Sequence, residues 1–177
     1  VIVSLGWIVS ILIAGLGILG AIINEHYKNH RTRVTVAGVF HAEISTLSAI
    51  TMDLNVVESY RMLAERLEAG EQFVFPKSYA PEPQFGLVFE KHVDRIGYLG
   101  ARSAEDIIKF YHLLFAIRVI LRNLINGAWE DHPNSNLIKA AQIRTGLRFW
   151  EECLQLNVTL LPALRKTASE QFAWLGI

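Results

Sequence analysis

The chain opens on VIVSLGWIVSILIAGLGILGAII, Val1 to Ile23, without one charged residue. A helix of about 20 apolar residues crosses the hydrocarbon core of a bilayer. At the helical rise this run is about 34 Å long, enough to cross with some tilt. No water-soluble fold requires 23 consecutive uncharged, mostly aliphatic residues, so a transmembrane helix is expected over residues 1–23. A cleaved secretory signal has an apolar centre of about 7–15 residues and small residues before its cleavage point. Here the apolar run is longer, and the chain leaves it through Ala21-Ile22-Ile23-Asn24-Glu25 with no A-x-A-like site. An uncleaved anchor is the expectation.

The flank sets the expected orientation. Residues 24–33 (NEHYKNHRTR) form a basic juxtamembrane segment, with Lys28, Arg31 and Arg33 against Glu25 alone. Positive charge beside a span favours the cytoplasmic side, which puts the N-terminus outside and residues 24–177 in the cytoplasm. Basic residues ahead of Val1 would oppose that orientation. Trp7 and Tyr27 stand where amphipathic rings collect, at the two interfaces. Within the span, Gly6, Ser10, Ala14, Gly17 and Ala21 fall three or four apart. Small side chains at that spacing let two helices approach closely in lipid. This stripe is the expected docking face for another transmembrane helix, from a second copy or from a different protein. Glycine is also simply common in membrane helices.

Behind the flank lie residues 34–177, 144 in all, the size of one domain with a real core. The whole chain carries 17 basic and 17 acidic residues. That balance gives no basic excess that would point to nucleic acid. The single cysteine, Cys153, excludes an intrachain disulfide and favours a reducing compartment.

From residue 34 to 69 the pattern is helical: Phe40, Ile44, Leu47, Ile50, Leu54, Val57, Tyr60, Leu63 and Leu67 step by three or four. The spacing averages nearer 3.4 than 3.6, which fits a helix packed in a bundle. Asp53 and Asn55 mark a possible break, and Gly70 stands where a helix closes. This helix can join the span without interruption. Residues 70–84 hold three of the five prolines but also Phe73, Phe75 and Tyr79, so an ordered loop packed on the bundle is expected. Phe85, Phe89, Val93 and Ile96 suggest a short helix closed by Gly97.

Ser103 is read as the cap of a strong helix running to about Asn126, with Glu105 and Asp106 in its first turn. Its polar stripe (Glu105, Lys109, His112, Asn123, Asn126) is narrow, which marks it as the buried, central helix. Arg118 is expected on the shoulder of its apolar face. After a turn at residues 130–136 the last long helix carries Leu137, Ala141, Ile143, Leu147, Trp150, Leu154, Val158 and Leu161. Pro162 should kink or end it. The tail ends in Phe172, Trp174, Leu175 and Ile177, expected to pack back. No segment reads as a strand.

Candidate chemistry is sparse. His26 and His30 stand i, i+4, the spacing of two metal ligands on one helix face, yet no H-E-x-x-H and no nearby third ligand accompany them. His41 with Glu43, and His92 with Asp94, read as solvated polar pairs. A nucleophilic role for Cys153 would need a histidine beside it; a buried cysteine is the plainer reading. There is no phosphate-loop, dinucleotide or G-x-S-x-G motif. No enzyme activity, metal or cofactor is expected.

At Phe75-Pro76, Tyr79, Ile96-Gly97-Tyr98-Leu99 and Lys109-Phe110-Tyr111 the chain resembles a loose group of bacterial proteins with one N-terminal span and a helical soluble domain. The resemblance implies a bacterial inner-membrane location and assigns no activity. The expected architecture is all-α: one N-terminal transmembrane helix followed by an antiparallel bundle of about four helices. The expected role is a non-enzymatic accessory or scaffold subunit of a larger membrane assembly, whose partners are membrane lipid and other transmembrane helices. The alternatives are a membrane-tethered sensor or ligand-binding module and a self-associating membrane effector.

Overall fold

Between Ile23 and Val34 the sequence has neither proline nor glycine, so nothing local stops a helix that begins in the apolar run. In the computed structural model, which describes residues 2–75 and 86–170 with side chains from Ile13 onward, no stop occurs. Helix α1 runs from Ile2 to Asp53, 52 residues, about 78 Å at the α-helical rise. It ends at the break expected from Asp53 and Asn55. Asn55 takes a left-handed φ of 48°, a conformation asparagine tolerates better than most residues. Helix α2 then runs Val56–Glu68.

Gly70 closes α2 as its position suggests. With φ 86°, it donates its N–H to the Leu67 carbonyl at 3.1 Å while Glu71 donates to Arg66 at 3.0 Å. This paired closure satisfies carbonyls that the helix end would otherwise leave open. The remaining elements are α3 (Leu87–His92), a 3-10 helix (Val93–Leu99), α4 (Ala101–Ile125) and α5 (Ser135–Ser169). No strand occurs among the described residues.

Three details differ from the sequence reading. Gly97 lies inside the 3-10 helix, and Gly100, at φ 85°, makes the turn instead. Because that turn already starts α4 at Ala101, Ser103 sits within the first helical turn and caps nothing. Pro162 does not end α5, which continues seven residues further to Ser169. The carbonyl deprived of a partner there belongs to Val158, whose side chain is 72% exposed, so water can replace the lost bond.

The central element is α5 rather than α4. At 35 residues it is long enough, about 52 Å, to pack on α1, α2 and α4 in succession. Its partners descend as α1 and α2 ascend. Glu170 meets His30, Asn157 meets Ser48, Glu151 meets Arg61, and Arg144 meets Glu68. Thus α2 carries the line of α1 onward along α5 past the break.

Two apolar clusters form the core. The larger unites Phe40 and Ile44 of α1 with Ile96, Leu99, Phe110, Tyr111, Leu114 and, from α5, Cys153, Leu160 and Leu164. The smaller joins Ala64 and Leu67 of α2 to Ile120, Leu124, Ala140 and Ile143. A buried polar layer links α1 to α5. There Asn157 Nδ2 donates to Ser48 Oγ at 2.6 Å, and Ser48 donates on to the Ile44 carbonyl at 2.7 Å. Phe73 and Phe75 pack on the smaller cluster, as their apolarity suggests, in edge contact with each other at 4.9 Å. Tyr79, Phe85 and the tail aromatics Phe172 and Trp174 lie outside the described residues.

Candidate functional site

The apolar half of α1 is covered by no other described part of the chain. Ile13, Leu16, Ile18, Leu19, Ile22 and Ile23 are each more than half exposed. One helix is thus long and apolar enough to cross a membrane, with mean hydropathy 1.3 over Ile13–Asp53. Of the small-residue stripe, Ala14, Gly17 and Ala21 are exposed. A Cβ built on Gly15, Gly17 or Gly20 would meet nothing within 4 Å. Gly6 and Ser10 belong to the same helix, but their surroundings lie outside the described side chains. The stripe therefore touches nothing in its own chain where it is described. Gly38 contrasts with it, since a Cβ there would stand 3.9 Å from Ala168 Cβ.

At the stem the basic flank is fastened to the far end of α5. His30 Nε2 donates to the Glu170 carbonyl at 2.9 Å, and Arg33 lies 3.6 Å from the Glu170 carboxylate. The first contact gives His30 a structural task in place of the metal pairing with His26. No cluster of three or more His, Cys, Asp or Glu fit to hold a metal occurs among the described residues.

Above the stem, Glu43 and His92 are not the solvated residues their neighbours in sequence suggested. Both are half-buried. The Tyr111 hydroxyl, fully buried on α4, donates to the Glu43 carboxylate on α1. The Tyr111 ring stacks on Phe89 at 4.6 Å and meets Phe40 edge-on at 6.0 Å, while His92 meets the other side of Phe40 at 6.5 Å. Burial first, then the Glu43 contact, push the Tyr111 phenol far above its ordinary 10.0. A tyrosine so held stays protonated and serves as a hydrogen-bond clamp between α1 and α4, not as a base. Glu43 also borders an open apolar groove of about 640 Å³ between α1, Val88 and Ala168.

Two further groups are held neutral. Burial, aided by nearby Glu152, pushes the Cys153 thiol up to about 12, which removes the thiolate that nucleophilic chemistry requires. Its Sγ faces the Phe110 carbonyl at 3.8 Å. Burial likewise pushes Tyr60 up to about 12. The exposed pairs are more ordinary: Arg144 holds the Glu68 carboxyl below its usual range, and Glu152 raises Lys109. No protein-family model, curated protein or solved structure matches the chain.

Proposed function

We propose that this chain is a non-enzymatic, single-pass accessory or scaffold subunit of a larger membrane protein assembly. The observation that carries the reading is the continuity of α1. One unbroken helix has an apolar half that no part of the chain covers and a second half keyed into the core through Val36, Ala37, Phe40 and Ile44. Such an element couples whatever touches its lipid-facing half to the soluble helices, because a helix transmits position along its length without a hinge before Leu54. In this reading residues 1–23 lie in a bacterial inner membrane and the basic flank faces the cytoplasm. Residues 34–177 form an antiparallel bundle of about four helices. Gly6, Ser10, Ala14, Gly17 and Ala21 dock against another transmembrane helix. Burial of the titratable Tyr60, Tyr111 and Cys153 supports a packing role for them over a catalytic one.

The test is gentle detergent solubilisation of native membranes followed by affinity purification. A discrete larger assembly containing the chain is expected, weakened when Gly17 is changed to Leu. A lone monomer that carries nothing with it would overturn the reading. The groove beside Glu43 favours one second reading, a membrane-tethered module that binds a small apolar ligand there. Native mass spectrometry of the purified chain separates the two, since that reading requires a bound small molecule.

A further inference from the structure

At the end of the molecule remote from the apolar half of α1, the first turn of α5 opens onto a polar cleft of about 560 Å³. Its walls include Gly70, Phe73, Glu130, Ser135, Asn136 and Lys139. Lys139 is only 7% exposed, yet it has no hydrogen-bond or ion-pair partner among the described residues. Burial of an unpaired ammonium is unfavourable unless an anion accompanies it. Side chains on a helix lean toward its N-terminus. Lys139, four residues after Ser135 and on the same face, therefore leans back over the first turn.

That turn is built for negative charge. The Ser135 N–H is taken by the His132 carbonyl at 2.9 Å, and the Ile138 N–H by Asn134 at 3.1 Å. The amides of Asn136 and Leu137 between them have no partner among the described residues. No side chain caps the helix. Free amides at the start of a long helix, with its aligned dipole, favour an anion.

The acidic residues nearby are otherwise engaged. Glu71 is paired to Arg66 at 2.6 Å. Glu130 folds back over the turn at Gly127, where an added Cβ would lie 2.8 Å from its carboxyl carbon. It makes no ion pair with Lys139 among the described residues. Phe73, half-buried, supplies an apolar wall.

We propose that this cleft binds a small organic phosphate. The phosphate sits on the first turn of α5 and on Lys139, and the organic part lies against Phe73. A lysine supplies charge to phosphate without demanding a fixed geometry. The volume is that of a small-ligand site. The proposal is independent of the membrane reading above.

Isothermal titration of the full chain in detergent, at fixed ionic strength, tests it with phenyl phosphate, inorganic phosphate and phenol. Saturable binding of phenyl phosphate is expected, tighter than inorganic phosphate, with phenol silent. Lys139→Met should weaken it about tenfold or more, the usual loss for a charged hydrogen-bond partner. Lys139→Arg should retain most of it, and Phe73→Ala should erase the preference over inorganic phosphate. Asn136→Pro is a second variant should Lys139→Met fail to fold. It deletes one of the two free amides at a position where a helix tolerates proline, and it too should weaken binding. Equal affinity for the two phosphates would overturn the organic part of the proposal and leave an anion site. No saturable binding, or Lys139→Met and Asn136→Pro binding as the parent does, would overturn it altogether.

Discussion

The two halves of α1 are both rich in apolar residues, yet they meet different surroundings. From Val36 to Thr51 one face is buried against α4 and α5, while Ala42, Thr46 and Ala49 look outward. From Ile13 to Ile23 the helix is apolar on every side, and no described residue covers it. A stripe needs a protein partner on one side only. A helix greasy all round needs an apolar solvent or a complete protein sheath. The same backbone element thus states two environments, and the boundary between them falls at the basic flank.

The largest effect expected from this contrast comes from charge. Leu16→Arg with Leu19→Arg should abolish stable membrane association, since each arginine at a span centre costs about 2.5–3.5 kcal/mol on insertion scales. Ala42→Arg with Thr46→Arg, on the outward face of the other half, should leave both membrane association and stability nearly unchanged. Fractionation with carbonate extraction reads the first pair, and thermal unfolding reads the second.

Next is Phe40→Ala. Phe40 is fully buried at the meeting of Tyr111 and His92, so about 3–5 kcal/mol of bundle stability should be lost. Membrane association should persist. If Phe40→Ala also released the chain from membranes, the division of α1 into two independent environments would be wrong. Tyr111→Phe should cost less, about 1.5–3 kcal/mol, because it strips the half-buried Glu43 carboxylate of its donor. Tyr111→Phe with Glu43→Leu should recover part of that loss in denaturant titrations.

The smallest effect is in pH. Cys153 and Tyr60, ordinarily at 9.0 and 10.0, are both raised to about 12 in the folded chain. Their neutral forms are the ones the fold accommodates. Their contribution is therefore complete below pH 9 and falls as pH rises from 9 toward 12. Stability should drop by about 1 kcal/mol at pH 10, and Cys153→Ala should move the onset upward by about one pH unit.

How much of this was legible beforehand follows the range of each signal. The break near Asn55 and the closure at Gly70 are local backbone demands, and both stand in the sequence as residue types. The uninterrupted passage from residue 23 to 34 was legible as an absence of helix breakers. Pro162 misled because a proline costs a helix one hydrogen bond, and only the exposure of Val158 reveals that water can take the place of the lost donor. The narrow polar stripe of α4 suggested the central helix, but α5 occupies that place by its length and by reaching three partners.

Glu43 and His92 were misread for a different reason. Sequence neighbours made them look like polar pairs, whereas their contacts, Tyr111 and Phe40, lie 68 and 52 positions away. Lys139 gave no signal at all. A lysine in the first turns of a helix is ordinarily solvated, and its burial depends on the loop around Phe73 folding over it.

The central claim is that lipid surrounds the first half of α1 and water surrounds the outward face of the second. Spin labels on single cysteines at Leu16, Leu19 and Thr46, in a Cys153→Ala background and in reconstituted vesicles, test it directly. The account predicts that labels at Leu16 and Leu19 are relaxed by oxygen and shielded from a water-soluble nickel chelate, with the reverse at Thr46. Ready access of the nickel chelate to Leu16 and Leu19 would contradict it.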